Sequence, residues 1–291
     1  MGKYSASYGG ANSASSNSML VDIGSGNLMF HLDLYNRNAK GLKIPGFSVS
    51  KKLADSDDEF TRGKYGDGIL QNSYNETLGG GVGATYFFNN GYTGLSFAKH
   101  EQEYGNILED SAFIDLESDN FKYELEMRNL SNLVNKFKFK LSHTDYKHAE
   151  MESPTEVGLD YFDIGHDAKV ELVHSLLSES GGVAGIDFGE SRFSQHTKAY
   201  EPDNKRQNVG VYALENFTVG KHELVVGLRH DYHEYDANAF TSDDGAPTDG
   251  GDEGSTSFSA SRKTFNATSL SAGTTSKLNE NWSIGLSVAH T

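Results

Sequence analysis

The chain contains no cysteine, which excludes disulfide bridges and thiolate metal sites. Its net charge of −16 argues against nucleic-acid binding, because phosphate recognition needs clustered lysine and arginine. No apolar run approaches the roughly 20 residues of a membrane-spanning helix. The opening residues, MGKYSASYGG, lack the basic and apolar blocks of a signal peptide, so we expect either a cytosolic protein or a piece of a longer precursor. The mean hydropathy of −0.55 still allows a membrane barrel, whose inner face and loops are polar.

What the chain has instead is a regular alternation of apolar and charged side chains, clearest in Phe121–Leu141. Successive side chains of a strand point to opposite faces, so each half of this stretch has one apolar and one charged face. Folding it as a hairpin about Ser131 sets Leu125 opposite Phe137 and glutamates opposite lysines, which favours that register. The stretch therefore predicts a long β-hairpin with different solvents on its two faces.

The same alternation recurs along the chain and predicts about 13 strands, with no helical periodicity in any segment. Tight turns are expected near Ser25, Asn90, Ser131, Gly181, Gly220 and Glu280. The longer polar stretches between the resulting hairpins include Asn38–Asn72, Lys147–Gly165 and Asp236–Arg262. Short turns at one rim and long loops at the other are typical of outer-membrane barrels. We therefore predict an all-β, antiparallel transmembrane β-barrel.

A soluble β-sandwich or β-solenoid would also show two-face alternation. Long strands, ladders of lysine and glutamate on one face, and aromatic residues near strand ends favour the membrane barrel. These aromatic residues are Tyr86, Phe87, Phe88, Tyr92, Phe217 and Trp282.

Eleven histidines without cysteine suggest a metal site of imidazole and carboxylate ligands, which suits zinc. The candidate ligands, at the loop ends of two strands, are His100, Glu101, Glu103, His230, Asp231 and His233. Asp231 and His233 share the face of Arg229, which we predict to be luminal because Leu228 occupies the other face. A third group at the end of another strand consists of His143, His148 and Glu150. Alternatively each is an ordinary polar residue on a solvated strand extension, since no HxxxH or comparable spacing supports a site.

Two other kinds of site, a calcium site and a catalytic site, have weaker support in the sequence. The acidic loop Thr241–Glu253 offers oxygen ligands for calcium, but it lacks the order of an EF-hand, and a solvated loop is the simpler interpretation. No nucleophile elbow G-x-S-x-G is present, so no enzymatic activity is predicted.

Several motifs, in order, resemble the barrel of TonB-dependent outer-membrane receptors. A Gly-rich turn, Gly24–Asn27, precedes a strand containing Tyr35 and Arg37, and an Ile-Pro-Gly-Phe element follows at Ile44–Phe47. Further matches are a Tyr-Gly loop entry at Tyr104 and Gly105, a G-L-R-x-D signature at Gly227, Leu228, Arg229 and Asp231, and the strand NENWSIGLSVAHT. The likeness spans nearly the whole chain and is nearest the branch that includes zinc-uptake receptors.

The resemblance implies uptake of a scarce metal ion or metal chelate across the bacterial outer membrane. The ligand it implies is zinc, a siderophore, haem or cobalamin. The partners it implies are outer-membrane lipid, the ligand, and the TonB energy-coupling protein acting through a plug domain, with no nucleic acid and no enzyme activity.

The sequence also departs from that family. Its members carry a signal peptide, an energy-coupling box and a globular plug ahead of a barrel of about 22 strands that ends in an aromatic residue. We therefore expect residues 1–291 to be one partial barrel domain without the N-terminal plug and the C-terminal strands. The alternatives are a self-contained smaller barrel, porin-like or enzymatic, or a soluble β-sheet binding protein.

Overall fold

The computed structural model describes residues 1–57, 60–109, 111–177, 180–197, 201–241 and 257–291. Its elements in chain order are β1 (Gly2–Gly9), β2 (Ala14–Ser25), β3 (Leu28–Ala39), β4 (Lys43–Phe47), α1 (Lys51–Ser56), β5 (Asp67–Ile69), β6 (Asn75–Phe88), β7 (Gly91–Gly105), β8 (Phe113–Arg128), β9 (Val134–Ser153), β10 (Glu156–His174), β11 (Gly182–Ser194), β12 (Asn204–Val219), β13 (His222–Ala237), β14 (Phe240–Thr241), β15 (Ser257–Phe258), β16 (Ser261–Lys277) and β17 (Ser283–His290).

Thirteen of these strands form one antiparallel sheet whose order follows the chain: β1-β2-β3-β6-β7-β8-β9-β10-β11-β12-β13-β16-β17. Such a meander needs only hairpin connections, as in an up-and-down barrel. Within the described residues the sheet is open, because β1 pairs only with β2 and β17 only with β16. The predicted partial antiparallel β-barrel of about 13 strands is confirmed.

The cross-strand pairs show which residues of successive strands lie on the same face of the sheet. One row of partners runs through Tyr86, Thr93, Leu125, Phe139, Val170, Ile186 and Val211. The adjacent row, formed by the neighbouring residue of each strand, lies on the opposite face. It runs through Tyr92, Glu126, Lys138, Glu171, Gly185, Tyr212 and Arg229. We call the apolar side the outer face and the charged side the inner, or luminal, face, as in a membrane barrel.

The apolar side chains do not form a core. Among the described residues, the buried apolar side chains are Ala39, Val49, Ala112 and Ala237. Large outer-face residues are instead exposed, with Val211 at 53% and Leu286 at 71%. A continuous apolar surface of this kind would be unfavourable in water and is expected where lipid is the solvent.

The hairpin of β8 and β9 has the predicted faces but a different register. Leu125 pairs with Phe139 rather than Phe137. The turn is wider than expected, since the N–H of Asn129 donates to the carbonyl of Asn135, with Asn129 itself at a φ of 54°. A shift of two residues leaves every side chain on its own face, so the pairing was wrong and the facial assignment right.

The predicted loop Lys147–Gly165 is also wrong. β9 continues to Ser153 and β10 begins at Glu156, so a tight turn joins two very long strands. Polar residues occupy both faces here, which removes the apolar alternation while the backbone ladder persists.

The other long loops contain small elements. Asn38–Asn72 includes the β4–β5 pair and the single-turn helix α1, whose N-terminus is capped by the Ser50 hydroxyl accepting from the N–H of Leu53 at 3.2 Å. Within the described ranges, no helix is long and apolar enough to cross a membrane. The β14–β15 pair closes the base of the acidic loop, but the proposed calcium ligands of Thr241–Glu253 lie, beyond Thr241, outside the described residues.

Candidate ligand-binding surface

The outer face changes character toward the long-loop ends of the strands. In β7 the apolar Leu95 and Phe97 are followed on the same face by Lys99. Lys99 lies 2.6 Å from Glu117 of β8, and Glu117 lies 2.6 Å from Lys147 of β9. The outer face is therefore charged above this level, and we call these parts of the strands the extensions.

The first predicted metal cluster is divided between the two faces. His100 points into the lumen, where its Nδ1 lies 2.8 Å from the hydroxyl of Tyr35. Glu101 and Glu103 alternate with it and so lie on the outer face. Glu101 pairs with Lys99 at 2.9 Å, and Glu103 accepts a hydrogen bond from the hydroxyl of Tyr74 at 2.8 Å.

The second cluster is divided in the same way. His230 lies on the outer face, with its Nδ1 2.8 Å from the hydroxyl of Thr268. Asp231 lies on the luminal face and accepts hydrogen bonds from Arg229, and His233 shares that face. Five strands separate β7 from β13, or about 29 Å along a sheet with strands about 4.8 Å apart. In the described part of the chain, no three His, Asp or Glu residues are placed to hold a metal ion.

The structure instead brings together aromatic and imidazole side chains inside the extensions. The luminal aromatic surface consists of Tyr35, His100, Tyr146, His148, Tyr161 and Phe193. His148 stacks on Tyr161 with ring centroids 4.4 Å apart, and its Nδ1 lies 3.0 Å from the hydroxyl of Tyr146. Phe193 continues the surface, 6.1 Å from Tyr161.

Sequence reasoning missed the strand positions of His148 and Tyr161 because it assigned Lys147–Gly165 to a loop. The available signal was the every-second-residue spacing of Thr144, Tyr146 and His148, which continues the luminal face of β9. Of the third predicted group, His148 and Glu150 share that face, whereas His143 lies on the outer face.

Glycines on the luminal face allow side chains to reach across a strand. Tyr35 of β3 contacts His100 of β7 over Gly79 of the intervening β6, where an added Cβ would lie 2.4 Å from the tyrosine ring. Tyr212 of β12 likewise crosses Gly185 of β11 and donates a hydrogen bond to Glu171 of β10 at 2.8 Å. A side chain at either glycine would occupy the path, so each glycine is required for the contact above it.

The lower luminal wall is charged but internally paired. Lys138 lies 2.9 Å from Glu171, Lys140 lies 2.9 Å from Glu124, and Arg229 lies 3.0 Å from Asp187. In the extensions, burial lowers the pKa of His148, and the nearby Glu150 carboxylate opposes this only in part. His148 is therefore neutral at neutral pH and presents an imidazole that can accept a hydrogen bond or bind a metal.

Solved structures with a similar fold include transporters and import receptors for metals and metal chelates. The copper transporter OprC superposes with a TM-score of 0.75 at 11% identity, covering 96% of this chain and 44% of its own. The ferric-catecholate import receptor Fiu from E. coli K12, in its open form, gives 0.70 at 12% identity, covering 98% and 53%. The FrpB iron transporter from Neisseria meningitidis (F3-3 variant) gives 0.71 at 12% identity, covering 98% and 44%.

The chain thus spans about half the length of these proteins or less, and at such low identity the likeness concerns the fold. Comparison with curated protein sequences gave no match. The family model described as TonB dependent receptor-like, beta-barrel, matches residues 10–291. Together with the antiparallel sheet and its two unlike faces, this match shows that the chain belongs to the TonB-dependent receptor β-barrel family.

Proposed function

We propose that this barrel is the membrane-spanning wall of a bacterial outer-membrane receptor that takes up a metal chelate with TonB-supplied energy. The observation that carries the proposal is the luminal aromatic surface, which lines the long-loop end of the lumen in a protein of this receptor family. Binding would occur there, ahead of any passage through the barrel.

The chemistry of this surface suits a flat, partly aromatic ligand. Phenol and imidazole rings at the surface of a lumen stack on planar groups, and each aromatic pair contributes about 0.5–1.5 kcal/mol beyond its buried area. The Tyr35 and Tyr146 hydroxyls already have imidazole partners, so the contacting rings are held in place before a ligand arrives. Catecholate and haem chelates present such planar faces, whereas a bare metal ion does not.

The two faces of the sheet indicate two further partners, lipid on the outside and a plug domain in the lumen. The exposed apolar outer face fits outer-membrane lipid. The paired charges of the lower lumen fit a wet or protein-filled interior, where a plug domain of the complete receptor would lie and transmit TonB energy.

The test uses the complete receptor containing this barrel, purified in detergent and titrated with a ferric tris-catecholate, haemin, a ferric trihydroxamate and Zn²⁺. We expect an aromatic chelate to bind, and Tyr161→Ala and His148→Ala each to weaken its binding by about tenfold, as expected for loss of about 1.4 kcal/mol. Tyr92→Ala is the matched control, because Tyr92 is luminal but lies at the opposite end of β7. Equal binding by wild type and both extension variants would overturn the proposed site.

A second candidate is uptake of a bare metal ion, for which His100, Glu101, Glu103, His230, Asp231 and His233 remain predicted ligands. The luminal position of His100, Asp231 and His233 favours these three over the others. Zinc uptake by cells carrying the triple variant His100→Ala/Asp231→Ala/His233→Ala distinguishes the two: it falls if the ion is captured by these residues and is unchanged if only a chelate is bound.

A further inference from the structure

Two histidines lie side by side on the outer face, away from the proposed luminal site. His143 of β9 and His166 of β10 are direct cross-strand partners. Their rings stack with centroids 4.7 Å apart, and their Nδ1 atoms are 3.2 Å apart. One step toward the membrane, the same two strands carry the apolar pair Leu141 and Ala168. The pair therefore marks the upper edge of the apolar band.

The spacing of the two nitrogen atoms matches that of two ligands on one metal ion. With metal–nitrogen bonds of about 2.0–2.1 Å, nitrogen atoms 3.2 Å apart subtend an angle of about 100° at the metal. That angle lies between the square-planar and tetrahedral values preferred by Cu²⁺, Ni²⁺ and Zn²⁺. The two rings are stacked at an interplanar angle of 26°, so both Nδ1 lone pairs can reach one ion only when the rings turn out of the stack and each proton resides on Nε2.

The surrounding charges favour a cation. Two residues beyond His143, about 7 Å along the strand, Asp145 faces Asp119 of β8. Oδ1 of Asp119 is buried without a hydrogen-bond partner. On the other side, His166 pairs with Glu190 of β11, whose carboxylate is neutralised by Arg192 at 2.8 Å and Lys205 at 3.0 Å. Negative charge therefore lies on the β8 side of the imidazole pair, at Asp145 and Asp119, and disfavours an anion such as a lipid phosphate there.

We propose that His143 and His166 form a two-histidine site for a borderline divalent transition-metal ion on the outer wall of the barrel, at the edge of the membrane. Water completes the coordination, because no third protein ligand is in place within the described residues. A bound ion would tie β9 to β10 where these strands leave the apolar band. This site does not depend on the proposed chelate uptake.

The experiment titrates the detergent-solubilised, metal-stripped receptor with Cu²⁺ alone, following affinity, stoichiometry and the electron paramagnetic resonance spectrum. We expect one ion coupled to two imidazole nitrogens, with His143→Ala and His166→Ala each lowering its affinity about 100-fold because two linked ligands act together. The double variant should bind no more weakly than either single variant, since one ligand without the other is already ineffective.

His222→Ala is the matched control, because His222 is an outer-face histidine whose Nδ1 is engaged by Ser276 at 2.6 Å. Circular dichroism without metal checks that each variant is folded, and His143→Gln serves if the alanine variant is not. The site is refuted if wild type and the double variant bind the same number of ions with the same spectrum, or if only one imidazole nitrogen is coupled.

Discussion

The hydroxyl of Tyr35 lies 2.8 Å from Nδ1 of His100, although their strands are separated by β6. Only a glycine at position 79 leaves room for this contact. Gly79→Val should displace the tyrosine ring and also press on the carbonyl oxygen of Lys99, 2.9 Å from the added Cβ, so circular dichroism should confirm that the variant folds. We expect chelate affinity to fall about fivefold, the loss of about one net hydrogen bond.

Gly83→Ala is the control for this change, since it lies on the same face of β6 and its added Cβ would meet its nearest neighbour at 3.4 Å. Ligand titration of the two variants provides the measurement. Undiminished binding by Gly79→Val would show that the Tyr35–His100 contact does not position the surface.

Glu171 joins two strands to its own on the luminal face, accepting hydrogen bonds from Lys138 at 2.9 Å and Tyr212 at 2.8 Å. Glu171→Ala leaves the half-buried lysine without its partner and should lower the free energy of unfolding by about 1–3 kcal/mol. Adding Lys138→Met should recover part of this loss, because the unpaired charge is removed. Denaturant unfolding in lipid vesicles measures both, and strictly additive losses would rule out the coupling.

The absence of native cysteine makes the register of β8 and β9 directly testable. Cysteines introduced at Leu125 and Phe139 should form a disulfide on mild oxidation, because the Cα atoms of directly opposed residues lie about 4.5–5.5 Å apart, within the range of disulfides. Cysteines at Leu125 and Phe137 should not. Gel mobility with and without reductant distinguishes the bridged from the unbridged protein. Efficient bridging of the second pair alone would show that the register predicted from the sequence is the correct one.

The faces of the β8–β9 hairpin are predictable from its sequence, but its register is not. Alternation assigned Leu125 and Phe137 to one face correctly, because a side chain's face depends only on its position along the strand. It did not determine their pairing, because opposed charges and apolar contacts are nearly as favourable two residues away. The wide turn with Asn129 at positive φ decided the register.

The candidate surface was harder to predict than the fold. Tyr146 and His148 lie on a strand extension with polar residues on both faces, so the segment resembles a loop in sequence. Their neighbour Tyr161 comes from the following strand and approaches only because β10 begins at Glu156. Contacts across a glycine, such as that over Gly79, require the strand order and register to be known first.

Burial of His148 against Tyr161 lowers its pKa, and this has a defined effect on stability. The unfolded chain takes up a proton near the ordinary value of about 6.5, whereas the folded protein takes it up only at lower pH. The stabilising contribution of neutral His148 is therefore present above that value and is lost as pH falls below it. Tyr161→Ala should expose the imidazole and reduce this dependence.

Histidine-labelled nuclear magnetic resonance, with the His148 signal assigned from His148→Gln, follows the titration. We expect a midpoint below the ordinary value for wild type and a higher one for Tyr161→Ala. A wild-type midpoint at or above 6.5 would contradict the buried, neutral imidazole.

The central claim is that one sheet separates lipid from an aqueous lumen, and single cysteines along β9 test it most directly. Each is introduced between Phe137 and Lys147 of the complete receptor in outer membranes and treated with a water-soluble thiol reagent. The account predicts slow reaction at Phe137, Phe139 and Leu141, fast reaction at Lys138 and Lys140, and fast reaction on both faces from Asp145 onward. Equal, fast reaction at Phe139 and Lys138 would contradict it, because both faces would then be in water.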